Sequence, residues 1–440
     1  MRRVPLLPCA RGRSTVASKP NRSSRLLNEG DSSADHTDRT PPGVSEAGSA
    51  DGDGNGAPAD PDVCRVTVSR DAPMPTRFES GPEDCDYYFP SEDGRQTTYG
   101  ITSDVIIEPG VVLVFGPRTV LDVDGGSIHA VGTASGRIVF SGAEARSGYW
   151  DGICFRGNRA SRLENVDVRW GGHEPLPSVR CRGGIGGYST GEPVDIVNTT
   201  VMGSYTNGLN VHHLQLGEFR ENAFSDNGEY GVNIEASQVR LLDAASDYLG
   251  DSLGGANGKP FVFTAGTISG PGPRSDPASL HEWPALNAPY RVTDDEAHYA
   301  QRIMVEDATA LAFAAGSTVY FDGDSQLLVT SGSFLGTAGT AEDPVLFTSQ
   351  AGAAGSWFGV SVINAYAVLN ATVIEWAGRD TAGTAASLAF TSTGDTTRKE
   401  LNGVHIRGSA SCALWIDDEE LFDNIDVTFG DDMPPDERYC

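Results

Sequence analysis

Lysine is nearly missing. The 440-residue chain holds three, Lys19, Lys259 and Lys399, so almost every cation is arginine. None of the three falls in a repeating apolar ladder, which excludes a lysine base on a strand face. Long apolar runs are missing too: no stretch approaches the roughly 18 residues that a membrane helix needs. Positive charge is scarce beyond the first 28 residues, which contain seven Arg or Lys and no Asp or Glu. That leaves 25 basic against 60 acidic residues for positions 29–440, a net −35. A body this acidic repels nucleic acid and anionic membranes, so neither is an expected partner. No Cys and His spacing fits zinc, and His212 and His213, being adjacent, would face opposite sides of a strand.

Residues 1–63 lack any periodic apolar pattern and are rich in Ser, Gly, Asp and Pro. Such a segment cannot bury enough surface to offset its chain entropy, so it is expected to be a disordered leader and linker. Its start, "MRRVPLLPCARGRS", combines positive charge, a few apolar residues and Cys9, as export and lipoprotein signals do. The apolar run Val4 to Leu7 is shorter than the roughly 7–15 residues an export signal requires, so a miscalled start or a plain tail is the competing reading. Within the linker Asp51, Asp53, Asn55 and Asp62 are spaced like the oxygen donors of a calcium loop. Pro58 and Pro61 interrupt that loop, and a solvated acidic linker is the alternative. No other cofactor is called for.

What is present is repetition. "GLNV" at 208–211 returns as "GVNI" at 231–234. A shift of 23 lays Ile196 on Phe219 and Leu242, Val201 on Phe224, Leu209 on Val232, Asn210 on Asn233, Val211 on Ile234, and Leu216 on Val239. Each repeat holds three short apolar patches with the i, i+2 alternation of strands. Three strands and glycine-rich corners per repeat suit a parallel β-helix, in which coils stack at about 4.8 Å and equivalent residues form ladders. Leu209/Val232 and Val211/Ile234 should face inward. Asn210 and Asn233 should point outward, or cap a turn if the strand ends there.

A longer shift, of about 206, superimposes residues from 109 on residues from 315. It matches Gly110 with Gly316, Phe115 with Phe321, Leu121 with Leu327, Val123 with Val329, Trp150 with Trp357, Trp170 with Trp376, Gly203 with Gly408 and Leu209 with Leu414. The chain therefore reads as an all-β tandem duplication of one β-helical unit: 64–280, then 281–440. Residues 247–280, crowded with Gly, Pro and Ser, are expected to be a connecting loop rather than a coil.

The phrases "IEPGVVLVFG", "LDVDGGSIHAVGTASGRIVFSG", "GYWDGICF", "LENVDVRWGG" and "ENAFSDNGEYGVNI" resemble the right-handed parallel β-helix repeat proteins of bacterial surfaces, in the broad pectin-lyase-like group. The likeness covers about 100–245 and 283–430. It implies an exported or cell-surface protein, a tip or stalk module whose partners would be surface glycans or other envelope proteins.

Six cysteines in the folded part fall into neighbouring pairs: Cys64 with Cys85, Cys154 with Cys181, and Cys412 with Cys440. Fifteen connectivities are open to six cysteines; short loops favour this one, and reduced, inert thiols are the alternative. For chemistry, the densest zone is 151–169, with Asp151, Arg156, Arg162, Glu164, Asp167 and Arg169. Relatives of the resembled group cleave acidic polysaccharides with arginine or lysine bases or with paired carboxylates, so a lyase or glycoside hydrolase acting on the outer face here is the alternative to a noncatalytic surface module. Asp167 and Arg169 alternate with Val166, Val168 and Trp170, which sets them on the outer face, where charges commonly serve solubility and edge protection. Of these charges the second copy keeps only Glu375. Trp150 and Trp357, at equivalent positions after glycine-rich loops, are candidates to stack on a sugar ring; packing at a coil corner is the alternative reading.

Overall fold

In the computed structural model, Leu209 pairs with Val232 and Asn210 with Asn233 in parallel register. Ile196 likewise pairs with Phe219 and Val201 with Phe224. The repeat read from the sequence is thus the pitch of a coil, and the chain is an all-β parallel β-helix. The structure describes residues 64–80, 85–92, 95–172, 181, 183–189, 191–212, 214–270, 280–293, 302–330, 332–379, 386–392 and 398–440. The expected leader, Cys9 and the calcium candidates Asp51, Asp53, Asn55 and Asp62 lie outside them.

Three faces make up each coil of the first copy. The first runs from Arg65–Thr67 through Val112–Phe115, Ile138–Gly142 and Val166–Arg169 to Ala223–Ser225. The second runs from Arg77–Phe78 through Ser127–Val131 and Ser161–Glu164 to Leu216–Arg220. The third stacks Thr97–Ile101, Thr119–Asp124, Gly152–Arg156, Ile185–Ser189, Leu209–Asn210 and Val232–Glu235. Along the third face an inward ladder passes Leu121, Ile153, Ile185, Leu209 and Val232, all essentially without solvent contact. Each such side chain contributes roughly 1.5–3 kcal/mol by leaving water.

Corners need backbone that turns within one residue. Asn165 (φ 52°) and Asn198 (φ 44°) join the second face to the first on successive coils, in the left-handed region that asparagine tolerates better than most residues. Their amides also stack, Asn198 Nδ2 donating to Asn165 Oδ1 at 2.6 Å. The second copy repeats the amide chain with Asn370, Asn402 and Asn424, but there the left-handed corner falls on the next residue, Ala371 (φ 37°) and Gly403 (φ 70°).

Asn210 and Asn233 alternate with core residues and so stand on the outer side, yet both are covered, 3% and 2% exposed. The strand ends at Asn210, whose Oδ1 accepts from the His212 backbone N–H at 3.2 Å, so the turn-capping alternative holds there. Asn233 instead meets the His212 ring, Oδ1 to Nε2 at 2.6 Å. A buried amide without such partners would be costly.

The expected loop at 247–280 needs correction. Val262–Ile268 is a strand that pairs with Val232–Glu235 before it and with both Tyr290–Val292 and Arg302–Val305 after it. One strand therefore carries the first copy's third face into the second copy. The main hydrophobic core runs without a break from Val68 to Met433, so both copies share it. The composition of 247–280 misleads because the glycines of 250–258, in the turns that precede this strand, weigh on the average, whereas the strand's own sequence "VFTAGTI" is rich in apolar and β-branched residues.

Around that joint the second face is interrupted by a 3-10 turn, Ala236–Leu241, which packs on Leu280–Trp283. Asp247 organises the neighbouring loop. Burial alone would raise its pKa, but hydrogen bonds from the Ser252 hydroxyl and N–H, Asn287 Nδ2 and the Gly250 N–H outweigh it and hold the carboxyl at about 2. His281 alternates with the exposed Leu280 and Glu282, is 5% exposed, and pairs with the fully buried Leu311, so its imidazole points inward. Burial, then the charge of Arg240, lowers its pKa, opposed by the hydrogen bond to the Ser237 carbonyl.

The unfolded chain binds a proton near His281's ordinary pKa of about 6.5 while the folded chain resists it. Its contribution is therefore full above about pH 6.5 and is lost as pH falls through the depressed folded value. Equilibrium unfolding between pH 7.5 and 5 should show stability falling with acid in the wild type and a flatter profile in His281→Leu. Parallel profiles would remove His281 as the cause.

Candidate functional site

A coil visits all three faces within two to three dozen residues, and this decides the fate of the zone 151–169. Arg156 closes a strand of the third face, Arg162 and Glu164 lie on the second, and Asp167 and Arg169 lie on the first. Paired-carboxylate chemistry needs both groups within about 10 Å on one substrate bond. The structure spreads the six around the circumference rather than on one face, which weakens the alternative of catalysis at 151–169.

Each charge is instead tied to a neighbour, most of them across coils. Arg137, which the sequence reading passed over, donates Nε to Asp167 at 2.7 Å and Nη2 to the carbonyls of Val166 and Asn198 at 2.8 and 2.9 Å. Arg169 reaches the other Asp167 oxygen at 2.6 Å. Asp167 is on the outer side of its strand yet only 7% exposed, because these arginines lie over it. Arg162 bonds Glu164, Asp195 and Glu218 at 2.7, 2.8 and 2.9 Å, three carboxylates on three successive coils, and these bonds raise its pKa further. Arg156 holds Asp122 at 2.6 Å; burial raises the pKa of that carboxyl while the guanidinium pulls it down. Asp151 is 4% exposed and accepts from Gln96 Nε2 at 2.5 Å. In the second copy Glu375, 7% exposed, accepts from Thr348 Oγ1 at 2.8 Å and from Arg407 Nε at 2.7 Å. What signals an Arg137 or an Arg407 is an outward arginine about 30 residues from a carboxylate, close to one coil.

Neither tryptophan candidate is available to a sugar. Trp150 and Trp357 are both fully buried. Trp150 stacks on Phe115 at 4.1 Å and Trp357 on Phe321 at 4.4 Å, and each Nε1 donates at 2.8 Å to a carbonyl, of Arg169 and Glu375 respectively. The twin geometry extends to the next matched pair: Trp170 (φ 61°) and Trp376 (φ 62°) turn the same corner. A Cβ on Gly203 or Gly408 would come within 2.3 Å of their rings.

Lys399 also corrects the sequence reading. It opens the strand Lys399–Arg407, pairs with Ala367 and Phe422, and is fully buried, its ammonium 3.5 Å from Ser392 Oγ. It does sit in a ladder; the sequence hides this because residues before it lack the apolar alternation.

The cysteines bridge as Cys64–Cys85, Cys154–Cys181 and Cys412–Cys440, with Cα separations of 4.6, 5.6 and 6.0 Å. Among the described residues no group of three or more His, Cys, Asp or Glu converges to hold a metal, and no helix is long and apolar enough to cross a membrane. His213 lies outside the described residues. No family model matches the chain, and neither the curated proteins nor the solved structures contain a significant match.

Proposed function

We propose that the chain is a noncatalytic β-helix acting outside the cytoplasm as a spacer or adhesion module, in keeping with its resemblance to surface β-helix repeat proteins. The observation that carries this reading is the use made of the charged outer residues. Arg137, Arg156, Arg162 and Arg407 each clamp carboxylates from neighbouring coils. A carboxylate held in this way serves the solenoid's rigidity and is poorly placed to act as base or nucleophile. Three disulfides support an oxidising location.

The competing enzyme is a polysaccharide lyase or hydrolase using Asp167 or Glu375. The deciding experiment incubates the purified chain with neutral and uronic-acid polysaccharides, with and without calcium, and follows chain length and new reducing or unsaturated ends, beside a glycan array. No cleavage of any substrate is expected. Cleavage by the wild type that disappears in Asp167→Asn or Glu375→Gln, with the variants still folded, would overturn the noncatalytic reading.

A further inference from the structure

The solenoid's last coil is left open on two faces. The eight-residue strand Phe422–Phe429 pairs along one side with Lys399–Arg407, and no strand pairs with its other side among the described residues. Its inward positions show what is missing. Ile425, Val427 and Phe429 lie over Leu401, Val404 and Ile406, which are 0% exposed. Ile425 itself is 36% exposed, and Val427 and Phe429 are only half-buried. The residues that follow lay no strand over Phe422–Phe429. They turn to the third face, where Tyr439 bridges Leu414 and Cys440 joins Cys412.

Charge at this end is predominantly negative. Residues 408–440 include ten Asp or Glu against one cation, Arg438, which lies over the Phe429 ring. Asp423 and Asp426 stand exposed on the outward side of the open strand, and Arg398, 3.2 Å from Asp423, makes the one ion pair to that strand among the described residues. At the opposite end of the solenoid arginines meet the carboxylates, Arg70 beside Glu92 and Arg77 between Glu79 and Glu108.

An open parallel edge offers a ready row of main-chain donors and acceptors, and a strand added there gains affinity from the backbone and specificity from alternate side chains. Like charges placed opposite each other across strands are destabilising, so Asp423 and Asp426 discourage a second copy of the same edge. They favour a strand with the opposite charge at its outward positions and apolar residues at the inward ones. We propose that the Phe422–Phe429 edge receives an extended, arginine- or lysine-bearing strand from a partner protein, which completes the final coil. This goes beyond the spacer or adhesion reading and does not depend on it.

The test uses the full chain and two fluorescein-labelled peptides, acetyl-Arg-Val-Thr-Val-Arg-Val-amide and its twin with Glu in place of Arg. Anisotropy should show saturable binding of the arginine peptide that weakens with salt, and hydrogen exchange should slow at 422–429. The glutamate peptide, and the arginine peptide on Asp423→Lys/Asp426→Lys, should bind at least about tenfold more weakly. Asp423→Asn/Asp426→Asn, which keeps side-chain shape, should fall between. Absence of saturable binding, equal binding of both peptides, or protection away from 422–429 would overturn the proposal. So would sedimentation showing that the wild type self-associates and that Ile425→Asp abolishes this, since the occupant would then be a second copy.

Discussion

Trp357→Ala is expected to destabilise the protein by about 3–5 kcal/mol, the range for emptying a large aromatic site in a packed core. The indole is fully buried, stacks on Phe321 at 4.4 Å with an interplanar angle of 11°, and donates its N–H to the Glu375 carbonyl. Alanine removes three things together: the transfer free energy of the ring, the stacking contact, and the partner of that buried carbonyl. The cavity cannot collapse, because the walls are strands fixed by ladders on both sides. Trp150→Ala should behave as its twin, since Phe115 and the Arg169 carbonyl take the same places. Trp415 is the control. It is half-buried on the outside of the third face against Ala386, Ala389 and Cys412, with its N–H on Asp417 Oδ1 at 2.7 Å; water can replace that hydrogen bond and part of the ring is already solvated, so its removal should cost less, about 1–2 kcal/mol. Guanidinium unfolding of the three variants checks this, and equal midpoints for Trp357→Ala and Trp415→Ala would refute the packing argument.

The inward half of this structure was legible in the sequence. Burial on the solenoid axis demands an apolar residue at each ladder position, so the Leu209/Val232 and Phe115/Phe321 correspondences reappear as registered pairs and as twin stacks. The two copies even share the unusual backbone of Trp170 and Trp376 and the glycines beneath them. The outward half was not legible, for a physical reason. Exposure on the outer surface is set by what a neighbouring coil lays across it, and that neighbour sits 20 to 35 residues away. Asp167 looked exposed by its alternation and is covered by Arg137 from the previous coil. Asn210 and Asn233 likewise looked outward and are buried in amide and ring contacts. The charges of 151–169 looked like one cluster because they are close along the chain, whereas a coil carries neighbours to different faces. The joint was missed because turn residues outnumber strand residues in 247–280, and composition averaged over that window conceals the seven that pair.

Breaking the Cys412–Cys440 bridge should unravel the C-terminal coil while leaving the middle of the solenoid intact. The bridge closes a segment with a sequence separation of 28, and a loop of that length restricts the unfolded chain by about 3–4 kcal/mol. In a solenoid each coil contacts only its neighbours, so stability is close to a sum of local terms and the ends open first. The last coil has the least to hold it: its strand is paired on one side, its inward residues are partly exposed, and its carboxylates outnumber the cations near them, Arg398 and Arg438. The tail contributes Met433, 3% exposed in the core, and Tyr439 against the Phe429 ring, and both contacts rely on the tail staying in place. Cys440→Ser should therefore raise amide exchange across 412–440 by roughly two orders of magnitude or more, the factor that 3 kcal/mol implies. Exchange at Leu209 and Val232, many coils away, should not change. If 412–440 exchanges at the wild-type rate, the bridge is ornamental. If Leu209 and Val232 lose protection as well, the coils unfold as one cooperative block and the nearest-neighbour description of this solenoid fails.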